Sequence, residues 1–129
     1  SFAPKDHHSL LQLYLDGPRD KFFTFLSSSL KSKKIKISKN EASEFYKVHQ
    51  TKPFYNDLCN YLSSGPIVVM ILEGDNAVAK NRQIMGATDP VKAEEGTLRK
   101  MYGISIDKNS VHGSDSVKNA KVEIDFFFK

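Results

Sequence analysis

The sequence predicts an α+β sandwich built on a mostly antiparallel sheet. Three observations carry this. Ile67-Val68-Val69-Met70-Ile71-Leu72 is a continuous apolar run rich in β-branched residues, as in a central strand covered on both faces. Lys33 to Ser38 alternates lysine with Ile35 and Ile37, as in a half-buried strand. Segments with helical 3-and-4 spacing fall between and after these strands without a strict βαβ rhythm. At 129 residues the whole chain, 1–129, is read as a single domain.

The elements follow in order. Ser38-Lys39-Asn40-Glu41 is a capping-box pattern, with the glutamate three residues after the serine. It opens a helix through Ala42, Phe45, Tyr46 and His49, which Pro53 breaks. Phe54 to Leu62 forms a second helix, with Phe54, Leu58 and Tyr61 or Leu62 on one face. Ser63-Ser64-Gly65-Pro66 is a turn into the apolar strand, and Gly74 ends that strand. Asn76 to Met85 is helical, Gly86 to Gly96 is an aperiodic loop, and Thr97 to Tyr102 is one helical turn. Gly103 to Ile106 reads as short and extended. Val111-His112-Gly113-Ser114-Asp115-Ser116 places a histidine in a tight turn, whose Ser/Asp group can cap a helix bearing Val117, Ala120 and Ile124 on one face. Phe126-Phe127-Phe128 forms an apolar end.

Composition narrows the classes. Hydrophobic residues make up 40% and charged residues 26%, as in a globular domain. The apolar run is too short to span a bilayer, and Ser1 to His8 lacks a signal-peptide pattern. The single cysteine, Cys59, excludes an internal disulfide, fits a reducing cytoplasm and sits in a helical pattern as a small buried residue. The net charge of +4 suits anionic ligands. Much of the excess lies in Lys31, Lys33, Lys34, Lys36 and Lys39, which read as a solvated strand edge.

His112 is the candidate nucleophile. Imidazole is a nitrogen nucleophile near neutral pH, and a helix entrance draws anions. Its neighbours in sequence carry a resemblance. Tyr46, Lys52-Pro53-Phe54-Tyr55, Ser64 to Met70, Leu72-Glu73-Gly74, Asn81 to Pro90, Glu95 to Arg99, Val111 to Ser116 and Glu123-Ile124 occur in order and at matching spacing. From about residue 33 to 128 the chain resembles the nucleoside diphosphate kinases, especially bacterial ones. The resemblance implies a ferredoxin-like α/β sandwich with a four-stranded sheet covered by helices. It implies ping-pong transfer of a γ-phosphoryl group from a nucleoside triphosphate to a nucleoside diphosphate through phospho-His112. It implies Mg2+ carried on the nucleotide phosphates and a homo-oligomer, tetramer or hexamer.

It also assigns roles. Arg82, Thr88 and Arg99 hold phosphates, in keeping with the planar forks and hydroxyl they offer. Phe54 and Ile106 sandwich the base, Leu58 adds an apolar wall, and Asn109 bonds the sugar. Glu123 orients the histidine, Tyr46 stands beside it, and Gly113 lets the ligand approach closely. His7, His8 and His49 match no position and read as surface or packing residues.

The first thirty residues lack the family's opening strand and lysine. Counting without gaps puts the lysine position on Asp6, with Lys5 beside it. Pro4, Pro18 and Ser27-Ser28-Ser29 are poor choices for the expected strand and helix. Preserved length with lost identity points to a shifted reading frame, a mis-assigned sequence or a divergent terminus. Two other functions compete with the kinase: a catalytically impaired relative that binds nucleotides or partners, and a nucleic-acid-binding protein. The second is disfavoured because no aromatics interleave with the lysine run.

Overall fold

The computed structural model of the chain describes residues 8–14 and 29–129. Its strands are β1 (His8–Tyr14), β2 (Ser29–Ile35), β3 (Ile67–Glu73) and β4 (Val111–Gly113). They form one sheet in the order β2-β3-β1-β4, with every pairing antiparallel. This is the strand order of a ferredoxin-like sandwich. Asp6 and Lys5, the residues at the counted lysine position, lie outside the described residues, as does His7.

The predicted central strand is β3, flanked by β2 and β1. Its side chains alternate between two cores, because successive residues in a strand point to opposite faces. Ile67 and Val69 join Ile37, Ala42, Tyr46, Cys59, Leu62 and Phe127. Met70 joins Met85, Leu98 and Val111 on the other side. Two covered faces explain why the run is apolar throughout.

The helices are α1 (Lys39–Phe45), α2 (Tyr55–Ser63), α3 (Ala77–Met85), α4 (Leu98–Tyr102) and α5 (Val117–Phe127). The capping box forms as read: Glu41 N–H donates to Ser38 Oγ at 3.2 Å, and Ser38 N–H donates to Glu41 Oε2 at 2.7 Å. These bonds hold the Glu41 carboxyl below its usual value of 4.5. A lowered carboxylate contributes stability above its unfolded pKa, and that stability fades as pH falls through the folded one. Ser38→Ala should cost about 1 kcal/mol at neutral pH, or roughly 4 °C in melting temperature. The deficit should shrink on acidification through the carboxylate range; thermal melts across pH check this.

Five readings need correction. A strand does form near the N-terminus, over His8–Tyr14, later than the ungapped count allowed and beyond Pro4. The lysine-rich strand runs over Ser29–Ile35 rather than Lys33 to Ser38, because Ser38 leaves the sheet to cap α1. α1 stops at Phe45, and a short 3-10 turn, Lys47–His49, carries the chain on toward Pro53. Gly103 to Ile106 is not extended; Ile104 N–H donates to Lys108 O at 2.9 Å and closes a turn. His112 sits in the middle of strand β4, not in a turn. The helix cap behind it is Ser116, whose Oγ accepts from Asn119 N–H at 3.1 Å.

Cys59 is buried, as expected. The phenylalanine end is covered within the chain, for Phe127 is buried and Phe126 and Phe128 pack against the first core. Among the described residues no helix is long and apolar enough to cross a membrane.

Candidate active site

A cleft of about 410 Å3 opens beside β4. Tyr46 and the 3-10 turn line one side, with Phe54 and Leu58 from the start of α2. Arg82 from α3 and Thr88 from the following loop reach it, as do Arg99 from α4 and Ile106 and Asn109 from the turn before β4. His112, Gly113 and Glu123 close the inner end. The residues singled out from the sequence therefore converge on one cavity.

His112 is half-buried at the centre of β4. Its Nε2 lies 3.0 Å from Glu123 Oε1, and the Ser114 hydroxyl donates to Glu123 Oε2. A carboxylate only accepts, so Nε2 carries the hydrogen, and in the neutral ring Nδ1 keeps the lone pair. Phe45 and Tyr46 meet the imidazole edge-on, with centroids at 5.3 and 6.1 Å. The ring is held by a carboxylate at one end and by aromatic walls beside it. Ser114 was read only as part of a helix-capping group. Its buried hydroxyl instead fixes the carboxylate that fixes the histidine, a link that sequence spacing does not reveal.

The aromatic row continues outward. His49 lies 6.2 Å from Tyr46 and 6.0 Å from Phe54, centroid to centroid. It lines the cleft while packing against both rings. The missed signal was its spacing: three residues past Tyr46 on a tightened turn, both face the cavity.

The two arginines differ in kind. Arg82 is exposed on α3. Arg99 is 7% exposed, and its guanidinium donates through Nη1 to Gly86 O at 3.0 Å and through Nη2 to Val111 O at 3.1 Å. It is both a cation on the cleft and a tie between the loop after α3 and β4. Gly86 serves that tie with φ +84, a left-handed conformation where a Cβ would lie 2.7 Å from Thr97 Cβ. Asn109 Nδ2 donates to Thr88 O at 3.2 Å, joining the sugar candidate to the phosphate candidate. Gly113 is required by packing, since a Cβ there would meet Asn81 Nδ2 and Met85 Cε at 2.6 Å.

Asp115 also lines the cleft. Asn119 donates to its Oδ1 at 2.6 Å and holds its carboxyl below the usual range, with the charge of Arg82 acting the same way. Among the described residues no group of three or more His, Cys, Asp or Glu side chains could hold a metal ion.

A lone-pair nitrogen fixed by a carboxylate, two guanidinium groups and an aromatic-walled slot, set on this sandwich, define a phosphotransferase that acts on nucleotides. Comparison with known proteins narrows the class. The profile of the nucleoside diphosphate kinases matches residues 25–129. The nucleoside diphosphate kinase of Nitratiruptor sp. is 62% identical over 96 residues, covering 74% of this chain and 70% of that protein. The Campylobacter hominis enzyme is 63% identical over 97 residues, covering 75% and 71%. The crystal structure of the Aquifex aeolicus nucleoside diphosphate kinase superposes with a TM-score of 0.87 at 32% identity, over 95% of each chain. The chain belongs to the nucleoside diphosphate kinase family, and it is a nucleotide phosphotransferase. The alternative of an impaired relative is not favoured.

Proposed function

We propose that transfer runs in two steps through His112, and the Nε2–Glu123 contact is the observation that carries this reading. Nδ1 attacks the γ-phosphorus of a nucleoside triphosphate. The bond to the β–γ bridging oxygen breaks, and the diphosphate leaves with that electron pair. The incoming diphosphate's terminal oxygen then attacks the phosphohistidine and returns the ring to its starting state. Glu123, accepting from Nε2–H, stabilises the positive charge on the ring during each step, and Ser114 keeps the carboxylate aimed. Phosphoryl transfer asks the protein mainly for position and charge neutralisation. Arg82, Arg99 and the Thr88 hydroxyl supply these for the phosphates, with Tyr46 alongside. Phe54, Leu58 and Ile106 stack the base, and Asn109 binds the sugar.

His49 stands where the row of rings passes from phosphate to base, beside the sugar and the inner phosphate. The cleft's cations and hydroxyl suit a Mg2+–nucleotide complex whose metal is held by phosphates and water. Bound there, Mg2+ neutralises charge on the phosphate oxygens. Incubation with γ-labelled ATP should give an acid-labile, alkali-stable phosphoprotein that GDP discharges. A protein that takes up no label refutes the two-step reading.

We also assign the working form to a homo-oligomer, tetramer or hexamer, in the cytoplasm. Val91 and Ile104, 81% and 78% exposed, supply the apolar surface that a second copy covers. Light scattering at micromolar concentration should give a mass several times 14.6 kDa; a monomer there defeats the assignment.

A further inference from the structure

A carboxylate bonded to one atom does not by itself hold a ring. Imidazole turns about its Cβ–Cγ bond in a broad, roughly two-fold well, so a contact at Nε2 alone leaves the ring plane free to swing. That plane decides where the Nδ1 lone pair points. Phe45 and Tyr46, consecutive in the chain, supply walls for it, meeting the His112 ring at interplanar angles of 78° and 77°. Tyr46 lines the cleft. Phe45, the last residue of α1, stands outside that lining, half-buried against the first core. Phe45 is itself backed. Its ring lies 5.1 Å from Phe127 and 5.5 Å from Phe126, centroid to centroid. Phe127 is buried in the first core. A chain of rings therefore runs from the end of α5 through Phe45 to His112. Glu123 precedes Phe126 and Phe127 by three and four residues, which puts all three toward one side of α5. One helix holds His112 twice: directly through the carboxylate at Nε2, and indirectly through the phenylalanines behind Phe45.

We propose that Phe45 is a positioning residue for phosphoryl transfer: it fixes the plane of the His112 ring, and so the aim of Nδ1, with Phe126 as its backing. This rests on the reading of His112 as the phosphoryl carrier. Phe45 touches the imidazole and not the cleft, so its effect falls on the chemical step and not on nucleotide binding. Leucine at this position keeps an apolar side chain in the cluster but offers no flat wall.

The test uses intact protein carrying 13C-labelled histidine, with the His112 signal identified by its loss in His112→Ala. The order parameter of the His112 ring carbons should match that of a rigid backbone, about 0.85, and fall below about 0.6 in Phe45→Leu. The rate constant for label uptake from saturating γ-labelled ATP should fall roughly tenfold, short of the hundredfold that a full 1 Å misplacement costs. The ADP dissociation constant should stay within about twofold of the parent's. Unfolded molecules lower the amplitude of uptake and leave its rate constant alone, so a fold defect does not mimic the result. Phe126→Leu should slow uptake by itself and add nothing in the Phe45→Leu background, because it acts through the same ring. A His112 ring as ordered in Phe45→Leu as in the parent overturns the proposal. So does an unchanged uptake rate, or a Phe126→Leu effect that adds in full to that of Phe45→Leu. Ring order needs no turnover. A parent protein that takes up no label refutes the two-step reading, while the order parameter still decides whether Phe45 holds the ring.

Discussion

His112→Ala should leave no labelled phosphoenzyme and lower transfer by at least roughly 10^4-fold, whereas His49→Ala should still take up label. The reason is geometric. Two histidines line the cleft, but only His112 has one ring nitrogen bonded to a carboxylate, at 3.0 Å. That bond fixes the tautomer of the neutral ring, which leaves the lone pair on the other nitrogen. His49 has aromatic neighbours on both sides, which place it along a substrate rather than aim it at a phosphorus. Its loss should raise KM for the nucleotide and leave the covalent step in place. Label recovered from His112→Ala protein, in a gel-based uptake assay, would sink the assignment of the nucleophile.

The second large effect separates Arg82 from Arg99. In Arg99→Lys the charge remains but the fork is gone, and one ammonium cannot reach both Gly86 O and Val111 O. A buried carbonyl then loses its partner, at about 2 kcal/mol, or roughly 8 °C in melting temperature. ADP affinity falls with it, because the loop after α3 is no longer tied to β4. Arg82→Lys lies on an exposed position. It should weaken ADP binding several-fold while the melting temperature stays within about 1 °C. Differential scanning calorimetry and ADP titration of both variants check this. Equal thermal losses, or ADP affinity unchanged in both, would contradict it.

Much of this site was legible in the sequence because its residues are short-range markers. A glycine–serine–aspartate stretch, a proline-led aromatic pair and spaced arginines keep their identity however the chain is folded. What each side chain does inside the fold was less legible. Arg99 reads as a phosphate fork and proves also to be a structural tie, since its carbonyl partners lie 12 and 13 residues away. His49 reads as a packing residue because its spacing from Tyr46 marks a shared face without showing that the face lines a cavity. β4 spans three residues, too few for alternation to register, so His112 read as turn. The fold class came from Ile67 to Leu72, where burial on both faces writes itself into composition. β1 is hard to read because its leucines between His8 and Tyr14 stand apart from any family motif.

The register of β1 against β4 has a mutational consequence. Leu11, Gln12 and Leu13 pair with Gly113, His112 and Val111, so the strand bearing the candidate nucleophile is laced to its neighbour by main-chain amides and carbonyls. Those groups are common to almost every amino acid, and only proline lacks the amide hydrogen. Most side chains at the start of the chain can therefore change without unpicking the pairing that seats His112, whereas the side chains that gather around the cleft come from residue 46 onward.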